Sequence, residues 1–223
     1  MRFAAFETST EWCSVALWLD GEIAGIEERA GNRHGERVLP MLERLAAEAG
    51  ITIAALDAVA FGAGPGSFTG LRIACGVAQG IAFARDLPVL GISTLMAMAE
   101  ESGAARVIAC LDARMHEVYY SALERDAAQA GARWREVQPA QCVAPAAVLV
   151  PGGDGWTGCG NGFDVYGPLG LSIVIPDIHP TAIAIARLAA PRLAAGEGVD
   201  AALAVPVYVR DKVAFTTEER SAR

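Results

Sequence analysis

The stretch from Gly62 to Gly80, GAGPGSFTGLRIACGVAQG, has the glycine density of a phosphate-binding loop and runs on into small residues at helical spacing. Backbone N–H groups of such a turn, at the start of a helix, can hold an anion. A Walker loop also needs a Lys beside its last glycine, and no Lys occurs between Gly62 and Gly80. A dinucleotide fingerprint needs G-x-G-x-x-G, but after Gly62 and Gly64 the third glycine falls too early, at Gly66. The spacing therefore reads as a tight turn whose glycines serve backbone angles, with anion binding as the residual chemistry. Elsewhere, Glu7 and Asp112 each end an apolar run and precede a short polar turn. His34, His116 and His179 are isolated, with no i, i+4 pair to hold a metal, and no G-x-S-x-G elbow occurs. Cys13, Cys75, Cys110, Cys142 and Cys159 are scattered and never form C-x-x-C, so neither a disulfide framework nor a zinc site is expected. A Cys–His nucleophile pair has no pattern to support it.

The elements that must position these residues follow from periodicity. RFAAF, CSVALWL and EIAGIEE read as three antiparallel strands, the last two joined by the Asp20-Gly21 turn. HGERVLPMLERLAAEAG carries Val38, Met41, Leu42, Leu45 and Ala49 on one helical face, with Pro40 in its early turns and Gly50 as its stop. LDAVAFG is a buried strand, followed by a helix from about Ser67 to Arg85 capped by Ser67 or Thr69. Along that helix Gly76-x-x-x-Gly80 leaves a small-residue ridge, which suits either close packing within its own domain or contact with another molecule. LPVLGI and STLMAMAEES add a strand and a helix, closing an α/β layer with a mixed sheet near Gly103.

The second half echoes the first. AFETSTEWCSVAL and ACLDARMHEVYYSAL both place an acid at a strand end, then a polar turn, then an alternating strand, which suggests duplication. Beyond this the pattern degrades into Pro- and Gly-punctuated sequence, and only PTAIAIARLAAPRLAAG reads as a helix, broken or kinked at Pro191. VPVYVRDKVAF reads as one extended segment before a polar tail.

Composition bounds the function. A chain of 223 residues, 53% hydrophobic, can bury one large core or two smaller ones. No apolar run is long enough to span a bilayer, and MRFAAFETSTEW is too short for a signal peptide, so a cytoplasmic protein without membrane contact is expected. The net charge of −8 argues against this chain alone gripping a phosphate backbone, so any RNA would be held through a partner.

ETSTEWCSVAL resembles the phosphate hairpin of the actin-like ATPases, with Glu7 where an Asp is usual and no glycine at the point of closest approach to phosphate. That likeness implies a vestigial anion or nucleotide cleft around Glu7, Thr8, Ser9, Thr10, Gly64, Gly66, Ser67 and Asp112. Taken together, FETSTEWCSVAL, HGERVLPMLERLAAEAG, the run from Leu56 to Leu95, DARMHEVYYSAL and VPVYVRD resemble the TsaB (YeaZ) family, the bacterial subunit needed to make N6-threonylcarbamoyladenosine at position 37 of tRNA. The resemblance implies an actin-like (ASKHA, RNase H-like) duplicated α/β fold with two mixed β-sheet domains, 1–103 and a degenerate 104–223. It implies a non-catalytic subunit that pairs with a TsaD-like transferase, is joined by a TsaE-like ATPase, uses no cofactor of its own because its partners use ATP, and self-pairs as a homodimer when alone. Where TsaD-like chains place an H-x-x-x-H metal pair, this chain has Thr94 and Met98, so no metal is expected. Docking is expected on the two first-domain helices through His34, Val38, Met41, Leu42, Leu45, Leu71, Arg72, Cys75, Gly76 and Gln79. The competing reading is a nucleotide-dependent phosphotransferase or hydrolase of the same fold, including a peptidase-like activity.

Overall fold

Five strands of each half form a sheet in the same order, as a computed structural model of the chain shows for residues 1–126 and 134–210. The tail expected after residue 210 lies outside the described residues. In the first half, β1 (Arg2–Glu7), β2 (Trp12–Leu19) and β3 (Glu22–Arg29) form an antiparallel meander, and β4 (Ala58–Gly64) and β5 (Val89–Ser93) add in parallel to β1. The sheet order is β3-β2-β1-β4-β5. In the second half, β6 (Arg106–Asp112), β7 (Val118–Arg125) and β8 (Trp134–Val143) repeat the meander, and β9 (Trp156–Cys159) and β10 (Val174–Ile175) repeat the parallel additions. The order β8-β7-β6-β9-β10 is therefore a copy, and Glu7 at the end of β1 corresponds to Asp112 at the end of β6. The duplication suggested by the two acid-plus-hairpin segments is present strand by strand.

The helices separate the layers. Helices α1 (His34–Glu48) and α2 (Phe68–Phe83) cover the outer face of the first sheet, where Phe6, Val15, Leu17, Val59 and Phe61 meet Val38, Leu42, Leu45, Ala74 and Ala78. Helix α4 (Asn161–Tyr166) covers the outer face of the second sheet through Phe163, against Ile108 and Tyr120. Between the sheets lie α3 (Thr94–Ser102) and α5 (Ala182–Ala194), in one core shared by Phe3, Ala5 and Ala60 with Val107, Ala109 and Leu123. Inward strand positions are small, and α5 is alanine-rich, so the layers come close; a Cβ at Gly25 of β3 would collide with Ile183 of α5. Ser14 Oγ accepts the Ala182 N–H at 2.9 Å, and Thr181 donates to Glu101 at 2.6 Å.

Helix α5 lies in the second half of the sequence and packs on the first sheet. Pro191 does not break α5, which continues to Ala194; the proline lacks its own N–H, so a single i→i−4 bond is lost. The second copy is also abridged: a turn at Pro145–Ala147 stands where α1 would be, and the six-residue α4 stands for the 16-residue α2.

Candidate functional site

A cleft of about 660 Å³ opens between the halves, where the ends of β1 and β6 face one another. Ser9, Thr10, Gly66 and Ser67 line it from the first half, and Asp112, Arg114 and Asn161 from the second. Of the residues expected there, Glu7, Thr8 and Gly64 lie behind its wall, each fully or almost fully buried.

The wall is built by close approach of the chain to itself. A Cβ at Gly62 would overlap the Glu7 carboxyl, one at Gly66 would lie 2.6 Å from Ser9 Cβ, and one at Gly70 would overlap the Thr8 carbonyl. Gly64, at φ +119°, leaves room for the Val207 carbonyl, 2.7 Å from where its Cβ would be. Thr8 Oγ1 donates to the Gly70 carbonyl at 2.7 Å, and the Ser67 N–H donates to Ser9 O at 2.7 Å. Ser67 caps α2 by accepting the Gly70 N–H at 3.3 Å, which selects it over Thr69. The glycine-rich loop thus folds onto the β1–β2 turn, and its glycines make room for the protein's own backbone and side chains.

Both acids are enclosed. Glu7 Oε1 accepts the Ser9 N–H at 2.6 Å, while the Ser9 and Thr94 hydroxyls lie against the carboxyl without a well-formed hydrogen bond to Oε2. Burial raises the Glu7 pKa above the ordinary carboxylate range, against the lowering effect of those hydrogen-bond donors. Asp112 Oδ1 accepts the Arg114 N–H at 3.0 Å and the Tyr166 hydroxyl at 3.2 Å, and Oδ2 lies 3.2 Å from the Arg114 guanidinium. The Asn161 side chain accepts the Asp112 N–H at 2.9 Å. Neither carboxylate is presented to the cleft as a free metal ligand or base.

The positions matched to a metal pair do not fit a metal. Thr94 opens α3 fully buried beside Glu7, and Met98 is buried with its terminal methyl beside Gly160. Among the described residues no group of three or more His, Cys, Asp or Glu is arranged to hold a metal ion. His34 Nε2 lies 3.2 Å from Trp12 O, His179 stacks on the Trp12 ring at 4.5 Å, and His116 sits on an exposed turn. Burial pushes the Cys13 and Cys110 thiols up to about 12, which leaves them thiols and not nucleophiles at neutral pH.

Most of the residues expected to dock already have partners within the chain. Val38, Met41, Leu42, Leu45, Leu71, Cys75 and His34 are buried within the protein's own first layer, because the sheet beneath needs an apolar cover. Arg72 donates to the Tyr208 hydroxyl at 3.1 Å, and Gln79 donates to the carbonyls of Ala201 and Ala204 at 3.1 and 3.0 Å. Of the residues named for docking, Gly76 alone is both exposed and free of a side-chain role. Around it runs an apolar groove of about 550 Å³ formed by Gly80, the other end of the expected small-residue ridge, with Leu39, Ile53, Val77 and Ile81, whose outward positions the sequence reading did not single out. Asn161, Tyr166 and Arg210 were also missed; no sequence pattern marks them, since their partners are distant in the chain.

Residues 26–161 match the family profile described as "TsaD: tRNA N6-adenosine threonylcarbamoyltransferase". The chain is 37% identical to the tRNA threonylcarbamoyladenosine biosynthesis protein TsaB of Escherichia coli K12, covering 96% of this chain and 97% of that protein. It is equally identical, 37%, to TsaB of Haemophilus influenzae, covering 96% of each. Among solved structures, YeaZ from Pseudomonas aeruginosa superposes with a TM-score of 0.85 at 40% identity, over 93% of this chain and 99% of that one. A second Pseudomonas aeruginosa structure, described as an uncharacterized protein with similarity to peptidase YEAZ, gives 0.87 at 40% identity, over 94% and 99%. With two actin-like copies, two enclosed acids and near full-length relatives on both sides of the comparison, this chain belongs to the TsaB (YeaZ) family, homologous to TsaD.

Proposed function

We propose that the chain is a non-catalytic subunit for threonylcarbamoyladenosine formation at adenosine 37 of tRNA, and that it docks a TsaD-like transferase on the outer face of α1 and α2. A single observation carries the docking surface. Gly76 and Gly80 lie within α2, and a Cβ at either meets nothing within 4 Å. Each glycine costs a helix about 1 kcal/mol relative to Ala, and no described residue uses the space it leaves. The loop glycines make the opposite case, since each is filled by the chain itself. The second copy, which lacks an α1 and shortens α2, covers its sheet without such a surface.

On this reading the transferase brings the catalytic centre, a TsaE-like ATPase joins the pair, and tRNA is engaged through the complex, in keeping with the net charge of −8. The groove also suits a two-fold homodimer when the transferase is absent. The cytoplasm is the compartment this reading requires, and all five cysteines are free. No helix among the described residues is long and apolar enough to cross a membrane.

Gly76→Leu tests the surface. The added side chain projects into open space and improves helix propensity, so the melting temperature of the isolated chain does not fall and rises by roughly 2–4 °C. Co-elution with TsaD in size-exclusion chromatography, and threonylcarbamoylation of tRNA by the reconstituted proteins, are lost. Gly80→Leu is the companion variant, because Gln79 is already bonded to the C-terminal segment. Unchanged complex formation in both variants places docking elsewhere.

A further inference from the structure

The turn between β6 and β7 runs through three consecutive left-handed residues, Arg114, Met115 and His116, at φ 62°, 56° and 59°, and none is glycine. A Cβ disfavours this region at each position, so something must hold the course. Within the turn the Ala113 N–H donates to Glu117 O at 2.9 Å and the Glu117 N–H donates to Arg114 O at 3.0 Å. From outside it, Arg210 Nη2 donates to Ala113 O at 2.9 Å and to the Glu117 carboxylate at 2.6 Å, with Arg114 O at 3.4 Å.

Arg210 is preceded by a segment fastened along the first half. Cys75 and Gln79 of α2 donate to the Ala204 carbonyl, the Val207 N–H donates to Ala63 O at 2.7 Å, and Tyr208 pairs with Arg72. One strap therefore runs from the helix that carries the glycine ridge, along the mouth of the cleft, to the turn on the opposite rim. Arg114, 87% exposed, projects from that turn.

We propose that Arg210 is a positioning residue: it latches the 113–117 turn in its left-handed course and thereby fixes Arg114 at the cleft mouth, joining the rim mechanically to α2. A planar guanidinium suits the task, because Nη2 gives its two N–H groups to a backbone carbonyl and a carboxylate while Nη1 lies 3.9 Å from Met115 Sδ, a fixed in-plane spread that an ammonium point charge does not reproduce. The proposal does not depend on the docking surface or on the tRNA reaction, and its test uses the full chain alone.

Amide hydrogen exchange, resolved by residue, is measured for wild type, Arg210→Ala, Arg210→Lys, Met115→Gly and the double variant Arg210→Ala/Met115→Gly. Arg210→Ala is expected to speed exchange at Ala113 and Glu117 at least tenfold while Ile108 and Tyr120, within β6 and β7, keep their protection. Lys does not restore it. Met115→Gly, by removing one Cβ from the left-handed run, restores at least half the lost protection without Arg210, which a general loss of packing would not allow. Unchanged exchange at Ala113 and Glu117 in Arg210→Ala overturns the latch, as does failure of Met115→Gly to rescue. Should Arg210→Ala fail to fold, Glu117→Gln decides: a rise confined to the turn supports the proposal, and a uniform rise overturns it.

Discussion

Glu7 occupies the position at which an actin-like enzyme would keep a working acid, and here its environment favours the neutral form. Burial raises its pKa, one oxygen is satisfied by the Ser9 N–H, and the other faces two hydroxyls and the bare face of Gly62. A carboxyl whose folded pKa is raised contributes its full stability below the unfolded value, near 4.5, and loses it as pH rises through the folded value. At neutral pH the unfolded chain ionises Glu7 freely while the folded chain resists, so the native acid is a liability there. Glu7→Gln keeps the acceptor for Ser9 and offers an amide to the hydroxyls. It is expected to raise the melting temperature by at least about 2 °C at pH 8, with the difference vanishing toward pH 4.5. Calorimetry at the two pH values checks this, and equal gains at both would show that burial of charge is not the cause.

Within the elements, the same residue type has opposite roles a few positions apart. Gly70 begins the buried side of α2 against the Thr8 carbonyl, whereas Gly80 faces open space. Gly70→Ala is expected to destabilise the isolated chain by about 1–3 kcal/mol through overpacking, and Gly80→Ala to stabilise it by about 1 kcal/mol through helix propensity. Urea unfolding of the two variants measures both signs. Gly80→Ala raising stability while leaving docking intact would place the required space at Gly76 alone. The sequence revealed that this helix is small-faced, but it could not separate the two classes of glycine. Their difference lies in Thr8, Ser9 and Val207, segments brought near only by the fold. For the same reason Val38, Leu42 and Leu45 mark an amphipathic face of α1 without naming the neighbour that covers it, which in the fold is the first sheet.

For the molecule as a whole, the first copy was readable because its strands and helices are long enough to show their periods. The second copy was less so, since a two-residue β10 and a six-residue α4 carry no measurable period, and α5 shows little amphipathic contrast because it is enclosed between two sheets. That enclosure has a thermodynamic consequence. Ile185 is fully buried in the core that joins Phe3 and Ala60 of the first sheet to Val107 and Leu123 of the second; α5 covers the first sheet and packs on α3, which covers β6 and β7, so loss of α5 opens that shared core to water. The two copies should therefore unfold as one cooperative unit despite their separate sheets. Ile185→Ala removes buried methylenes at a cost of about 2–5 kcal/mol, and the loss is expected to appear equally in both halves. Variants that retain Trp18 alone or Trp134 alone report on the first and second sheets respectively. Coincident fluorescence transitions, shifted together by Ile185→Ala, are the expected result; a Trp134 transition that stays in place while Trp18 moves would mean that α5 belongs to the first sheet alone.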